Sequence, residues 1–221
     1  MNSVPRPTGR EAIKAWNRQK IIDATIDVIN QYGIAGTTVA RVVELAKVSM
    51  GLVNVHFKSK DALLTQVLRQ MAEAYSLHWR DRLNSAEQEP VAQLLAMVLA
   101  DFDASVLNLK TLGVWFAFRA QVRAKPEYLD LIGTREPEQV QLMISLFRKL
   151  NRKTGQKHDP VILTRLLSAM VEGMWTEFHL YPREFDRAGA LQGVSLFLGV
   201  MYPDCFPPLD KRSSTVKINS A

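Results

Sequence analysis

Residues 38–60 read Thr38-Val-Ala-Arg-Val-Val-Glu-Leu-Ala-Lys-Val-Ser-Met-Gly-Leu-Val-Asn-Val-His-Phe-Lys-Ser-Lys60. Val39, Val42, Val43 and Ala46 fall at i, i+3, i+4 and i+7, a narrow apolar stripe along one face of a short helix. Three residues after that stripe ends, Ser49 can cap a new helix. The second helix has room for only about two turns, too few to be stable alone. It must be braced by its neighbours, and such a helix serves to present its exposed side chains. Two short helices around a tight turn are the arrangement that lays a second helix in a DNA groove.

Working outward, nearly the whole chain reads helical, with no alternating strands or hairpin turns. A first helix spans 11–32, with Ile21, Ile22, Thr25, Ile26, Val28 and Ile29 inward, and Gly33 as its C-cap. Thr37 or Thr38 caps the second helix. Ser59 caps a fourth, running to about residue 84, with Asp61 in its first turn. It ties the N-terminal segment to the rest without a flexible linker. Further helices are expected near 88–107, 110–125, 127–152, 159–181 and 184–201, with Pro126, Pro160 and Pro182 at breaks. Pro137, with Gly133, either kinks or splits the third of these. The fold class is therefore all-α. Its parts are a helix-turn-helix domain over 1–60, a helical body over 61–202 and a disordered tail over 203–221 containing Pro207-Pro208.

At 221 residues and 47% hydrophobic, the chain can bury a substantial core. No apolar run approaches the roughly 18–20 residues that span a membrane, and Met1 to Gly9 lacks the apolar core of a signal peptide. A cytoplasmic location is expected. The single cysteine, Cys205, has no partner for an internal disulfide and reads as incidental. Residues 1–61 carry +4 of the formal net charge of +6. A basic end on a near-neutral body fits contact with a polyanion, although a merely solvated face has the same composition.

Thr38, Val42-Val43, Ala46-Lys47-Val48-Ser49, Gly51, Asn54, His56-Phe57, Lys60 and Asp61, led by Tyr32-Gly33 and followed by Leu63-Leu64, resemble the TetR/AcrR family of bacterial repressors at matching spacing. Two positions depart from that pattern. Lys47 stands at the usual turn glycine, so either the turn avoids a left-handed residue or Lys47 accepts one at a cost of about 1 kcal/mol. Asn54 stands at the usual tyrosine and exchanges stacking surface for paired donor and acceptor groups suited to adenine.

The resemblance assigns roles. Thr38 and Lys60 hold phosphates, and Lys47 at the turn is placed to add another. His56 does the same or packs beside Phe57. Arg41, Met50, Gly51, Asn54 and Val55 face outward toward base edges and thymine methyls, with Ser49 at the start of their helix. Val48, Val53 and Phe57 belong to the small core. Arg10, Lys14 and Arg18 either reach an adjacent groove or are solvated. One short helix reads few base pairs, so a homodimer on a near-palindromic duplex is expected. The helices at 159–181 and 184–201, with Gly173, Gly189, Gly193 and Gly199, are the candidate dimer interface.

In the body, Trp115-Phe116-Ala117-Phe118-Arg119 and Glu172-Gly173-Met174-Trp175-Thr176-Glu177-Phe178 stand out. Trp115 and Phe118 share a helical face, as do Glu172 and Trp175. An acid beside aromatic rings suits an organic cation; the same residues also make an ordinary aromatic core. Leu112-Gly-Val-Trp-Phe-Ala-Phe118 and Leu166-Leu-Ser-Ala-Met-Val-Glu-Gly-Met-Trp175 resemble the C-terminal domain of the BetI-type branch, whose founding members are choline-responsive. The resemblance implies a small-molecule effector of the choline-like amine class, bound by Trp115, Phe118, Arg119, Glu172, Trp175 and Phe178.

No phosphate-cradling glycine loop, metal-ligand cluster or nucleophile elbow is present, and the four histidines are scattered. A non-enzyme without cofactor or metal is expected. Two other readings share the basic head: an architectural DNA-coating protein, and a regulator of the same fold without an effector.

Overall fold

The computed structural model describes residues 8–132 and 137–206. Among them the regular structure is helical throughout: α1 (Arg10–Gly36), α2 (Val39–Ala46), α3 (Met50–His56), α4 (Lys60–Asn84), α5 (Pro90–Asp101), α6 (Leu109–Arg119), a 3-10 turn (Pro126–Tyr128) running into α7 (Leu129–Ile132), α8 (Pro137–Thr154), α9 (Pro160–Leu180) and α10 (Arg187–Met201). None of these helices is long and apolar enough to cross a membrane.

Local chemistry sets most of the starts. The hydroxyls of Thr38, Ser49 and Ser59 accept from the backbone N–H groups of Arg41, Leu52 and Ala62 at 3.3, 3.2 and 3.0 Å. Glu89 and Asp159 cap α5 and α9, each with a proline in the first helical turn. Asn108 caps α6 through Thr111 N–H at 2.8 Å.

The described residues form two compact units, one within Met1–His78 and Ser105–Gly133, the other within Trp79–Ala104 and Thr134–Ala221. In the first unit, Ile21, Ile22, Val28 and Ile29 of α1 meet Val42 and Ala46 of α2, Val53 of α3, and Phe57. The same core continues through Leu63, Leu64, Val67 and Leu68 of α4 to Val114 and Phe118 of α6, Tyr128 and Ile132. A fully buried aliphatic side chain is worth about 1.5–3 kcal/mol. With Val53 as its sole fully buried residue, α3 depends on its neighbours for its shape. Ion pairs Lys110–Asp27 and Lys125–Asp61, both 2.5 Å, join the segment around α6 to α1 and α4. The sequence boundary at residue 60 thus lies inside this unit, which also takes in α6.

In the second unit α8 packs on α5 and α9. Leu94, Met97, Met143, Leu146, Phe147, Leu150, Leu167, Val171 and Leu198 are buried there. Tyr202 closes the unit: its hydroxyl donates to Asn151 Oδ1 at 2.8 Å and its ring stacks on Phe147. Burial, reinforced by Cys205, pushes its phenol up to about 12.

Several boundaries differ from the sequence expectation. The first helix kinks at Gly33 (φ 66°, ψ 176°), where the sequence ends it, and a further short helical segment runs on to Gly36. α5 stops at Asp101 and α6 at Arg119, short of 107 and 125. Phe102, Val106 and Leu107 are buried outside any helix, so packing overrides local propensity there. Residues 129–132 and 137–154 form separate helices, with Pro137 starting the second; Gly133 lies outside the described residues. Pro203–Phe206, expected in a loose tail, instead turn back, the Cys205 and Phe206 N–H groups donating to Tyr202 O at 3.0 Å. The rest of that tail, 207–221 with Pro207-Pro208, also lies outside the described residues.

Candidate nucleic-acid interface

The turn between α2 and α3 is built on Lys47. Its φ and ψ are both 51°, and it is the non-glycine residue with positive φ among those described. Lys47 N–H donates to Glu44 O, and Val48 N–H donates to Val43 O at 3.2 Å, which makes a Schellman motif. Lys47 therefore takes the left-handed conformation with its ammonium exposed. The motif ends α2 abruptly and frees Ser49 to start α3 within three residues.

What α3 shows to solvent follows from that geometry. Val53 points inward, while Met50, Gly51, Asn54 and Val55 are exposed, Val55 at 72%. A Cβ placed on Gly51 would meet only Ser49 Oγ, at 3.9 Å, so packing does not require glycine there. Thr38 and Ser49 are exposed at the starts of α2 and α3. Val48 is half-buried against the core, and Phe57 is buried.

The cations around this face are partly engaged within the protein. Lys60 Nζ donates to Ile34 O at 3.4 Å. Arg41 donates through Nη1 to Gly36 O, and its guanidinium lies 4.3 Å from the Tyr32 ring centroid. Arg18 lies over the Phe57 ring at 5.4 Å. His56 is half-buried beside Phe57, with ring centroids 6.2 Å apart. Burial, and then the charges of Lys14 and Arg18, hold its imidazole below the ordinary value. Arg10 and Lys14 are exposed on α1.

The six expected effector residues divide between the units. Trp115, Phe118 and Arg119 are in the first. Phe118 is fully buried, edge-on to Tyr128 at 5.3 Å; Trp115 is half-buried against the same core; Arg119 lies over Phe116. Glu172, Trp175 and Phe178 line one helix of the second. Trp175 is buried, its indole N–H donating to Asp101 O at 2.9 Å, and Phe178 meets Phe185 edge-on. Glu172 is half-buried. Neither unit alone holds all six.

The second unit contains a concavity of about 500 Å³ that the sequence reading did not find. It is lined by Trp79, Arg80, Leu83, Asn84, Glu138, Gln141 and Leu142. Arg80 pairs with Glu138 at 2.6 Å and its guanidinium lies 4.9 Å from the Trp79 ring, so a solvent-exposed cation of the protein itself sits beside a ring and a carboxylate. Trp79 is 1% exposed, and its indole N–H has no hydrogen-bond partner among the described residues. Trp79 and Leu83 stand i, i+4 on α4, a spacing the sequence does carry.

Residues 21–67 match the bacterial regulatory proteins of the tetR family, and residues 90–200 match the BetI-type transcriptional repressor C-terminal domain. The HTH-type transcriptional regulator BetI of Paraburkholderia phymatum is 31% identical over 187 residues, covering 83% of this chain and 92% of its own. The protein of the same name from Paraburkholderia xenovorans is 29% identical over 186 residues, with the same coverage. Among solved structures, a putative transcriptional regulator from Pseudomonas aeruginosa PAO1 superposes with TM-score 0.74 at 25% identity, covering 89% of this chain and 93% of that one. A putative regulator from Saccharomonospora viridis, solved in complex with choline, has TM-score 0.73 at 18% identity, covering 83% and 96%. At that identity the likeness is one of fold.

Proposed function

Because this chain belongs to the tetR family of bacterial regulatory proteins, with a BetI-type repressor C-terminal domain, we propose that it represses transcription as a homodimer on a near-palindromic operator and is released by a small organic effector. It is a transcription regulator and not an enzyme. The observation that carries the operator reading is the outward face of α3. Met50, Asn54 and Val55 are exposed on a helix that contributes one residue to the core, and Gly51 is a glycine the packing does not need. Met50 and Val55 are suited to thymine methyls, and Asn54 to adenine. The missing Cβ at Gly51 lets the duplex approach the backbone. Thr38, Ser49, Lys47, His56 and Lys60 hold phosphates around that face.

Dimerisation uses α9 and α10. Ile162, Leu166 and Leu180 on α9 are exposed, and Leu196 and Val200 on α10 are each 67% exposed. These are apolar side chains at helical spacing, each at least 46% exposed among the described residues. Gly173 is open to solvent, and a Cβ on Gly193 would make only an ordinary contact with Met174 Cε, so small residues on both helices leave room for a second copy. Gly189 and Gly199 serve locally, against Asp186 and Phe206 O.

The effector binds in the body, and the support favours an organic cation at Trp79 and Glu138, where the guanidinium of Arg80 now sits. An effector weakens operator binding only by favouring a conformation that spaces the two heads wrongly. The unbroken helix α4 is the proposed lever, and the bacterial cytoplasm the site of action.

The test selects duplexes from a random pool with the full-length chain, then footprints the winner. A single protected near-palindrome supports the repressor; uniform coating supports the architectural alternative. Thermal-shift screening with choline, polyamines and neutral amphiphiles follows. Stabilisation by choline that Glu138→Gln abolishes supports the cavity, whereas loss on Glu172→Gln moves the site to α9.

A further inference from the structure

The junction between α1 and α2 carries an arrangement that no role so far explains. Gly33 adopts φ 66° and ψ 176°, backbone angles that glycine alone takes readily. That break strands the carbonyls at the end of α1, which lack helical donors. Three of them, on Gly33, Ile34 and Gly36, are met by specific groups. Thr37 Oγ1 donates to Gly33 O at 2.7 Å. Thr37 N–H and Lys60 Nζ donate to Ile34 O at 3.2 and 3.4 Å. Arg41 Nη1 donates to Gly36 O.

Arg41 is the member that crosses from α2 back to α1. It belongs to the first turn of α2, where its own backbone N–H bonds the capping hydroxyl of Thr38. Its side chain returns to the end of α1 and lays its guanidinium on Tyr32. The contact also accounts for Gly36. A Cβ there would lie 2.9 Å from Tyr32 Cβ and 3.4 Å from Arg41 Nη1, so a side chain at 36 would displace the pair. A planar guanidinium can stack on a ring and donate in its own plane at once, which an ammonium cannot.

We propose that Arg41 is a positioning residue, not a base reader: with Tyr32 and Gly36 it forms a strut that fixes the entry angle of α2 and so aims Thr38 at its phosphate. The inference rests on the operator reading above. Arg41 acts on DNA through Thr38, and its charge is directed to a carbonyl at the negative end of α1.

The experiment measures affinity of the full-length chain for the duplex it enriches from a random pool, by fluorescence anisotropy across a salt series. The variants are Tyr32→Ala, Arg41→Gln, their combination, and Tyr32→Phe. Each single loss should weaken binding about tenfold, and the double variant no more than about tenfold, because both break one strut. Tyr32→Phe keeps the ring face and should restore binding to within about twofold. The slope of log affinity on log salt should stay at the wild-type value. Gly36→Ala enters the same contact by a third route, should also cost about tenfold, and should not add to Arg41→Gln. It secures the test if Tyr32→Ala fails to fold, which circular dichroism reports. The proposal is overturned if the single losses multiply to about a hundredfold. It is equally overturned if Tyr32→Ala binds like wild type while Arg41→Gln lowers the salt slope by about one, the mark of a direct phosphate contact. Enrichment of no duplex would remove the operator reading and the strut's role together, whereas failure of the strut alone leaves enrichment intact.

Discussion

Lys47→Gly should stabilise this protein while weakening its hold on DNA. Lys47 sits at φ 51° and ψ 51°, where a Cβ presses on the following carbonyl. That conformation costs an L-residue about 1–2 kcal/mol. Glycine escapes the cost but loses about 0.4–1 kcal/mol more chain entropy on folding. The net gain is about 0.5–1 kcal/mol, or roughly 2 °C in Tm for a chain of this size. Lys47→Ala is the matched control, since it removes the ammonium and keeps the strain, so the Gly–Ala difference isolates the backbone. Thermal melts followed at 222 nm give the stabilities. Both variants should lose operator affinity alike, with the salt slope lowered by about one. If alanine proves as stable as glycine, Lys47 is not left-handed in solution and the abrupt turn into α3 needs another cause.

Other expectations follow from the same geometry. Asn54→Ala should cost about 1–3 kcal/mol against one base pair of each half-site and relax selection there, whereas Lys60→Ala should weaken all sequences evenly; competition between operator variants separates them. The imidazole pKa of His56 is depressed in the free protein, so a phosphate partner must raise it and draw in a proton. Operator affinity should then rise as pH falls from about 7.5 to 6, and His56→Gln should flatten that dependence in an anisotropy titration. The Lys153 ammonium, 2.6 Å away, holds the carboxyl of Glu89 below the usual range, helped by the α5 amides. A depressed acid contributes stability above its unfolded pKa and loses it as pH falls through the folded one, so Glu89→Gln should remove part of the acid destabilisation below about pH 4. Leu196→Asp should halve the mass seen by sedimentation and sharply reduce operator affinity, because a lone head reads only half a site.

The helix-turn-helix segment was legible because its determinants are local. Thr38, Ser49 and Ser59 bond amides three residues away, and the stripe through Val42 and Ala46 needs only helical periodicity. What escaped depends on contacts distant in the chain. Pro126 would end a helix only at Lys125, and no proline or glycine stands at 102–107 or 120–124, so the early ends of α5 and α6 come from packing and from turns such as Lys125 N–H to Gln121 O at 2.8 Å. That α6 shares a unit with α1 rests on pairs such as Lys110–Asp27, residues far apart in sequence. Lys47 was undecidable because a strain of about 1 kcal/mol is within what tertiary contacts offset. A helical wheel paired Trp115 with Phe118 and Glu172 with Trp175, but it does not report which face the core takes. Both Phe118 and Trp175 are buried. Arg41 faces outward on a helical wheel too, and a wheel does not show its stacking on Tyr32 of the preceding helix.

The near-absence of packing duties on α3 has an evolutionary corollary. Exchanges at Met50, Gly51, Asn54 and Val55 leave Val53 and the scaffold beneath it untouched, so stability scarcely constrains which promoter a descendant recognises. After gene duplication, two copies can part company in genomic address long before they diverge in architecture.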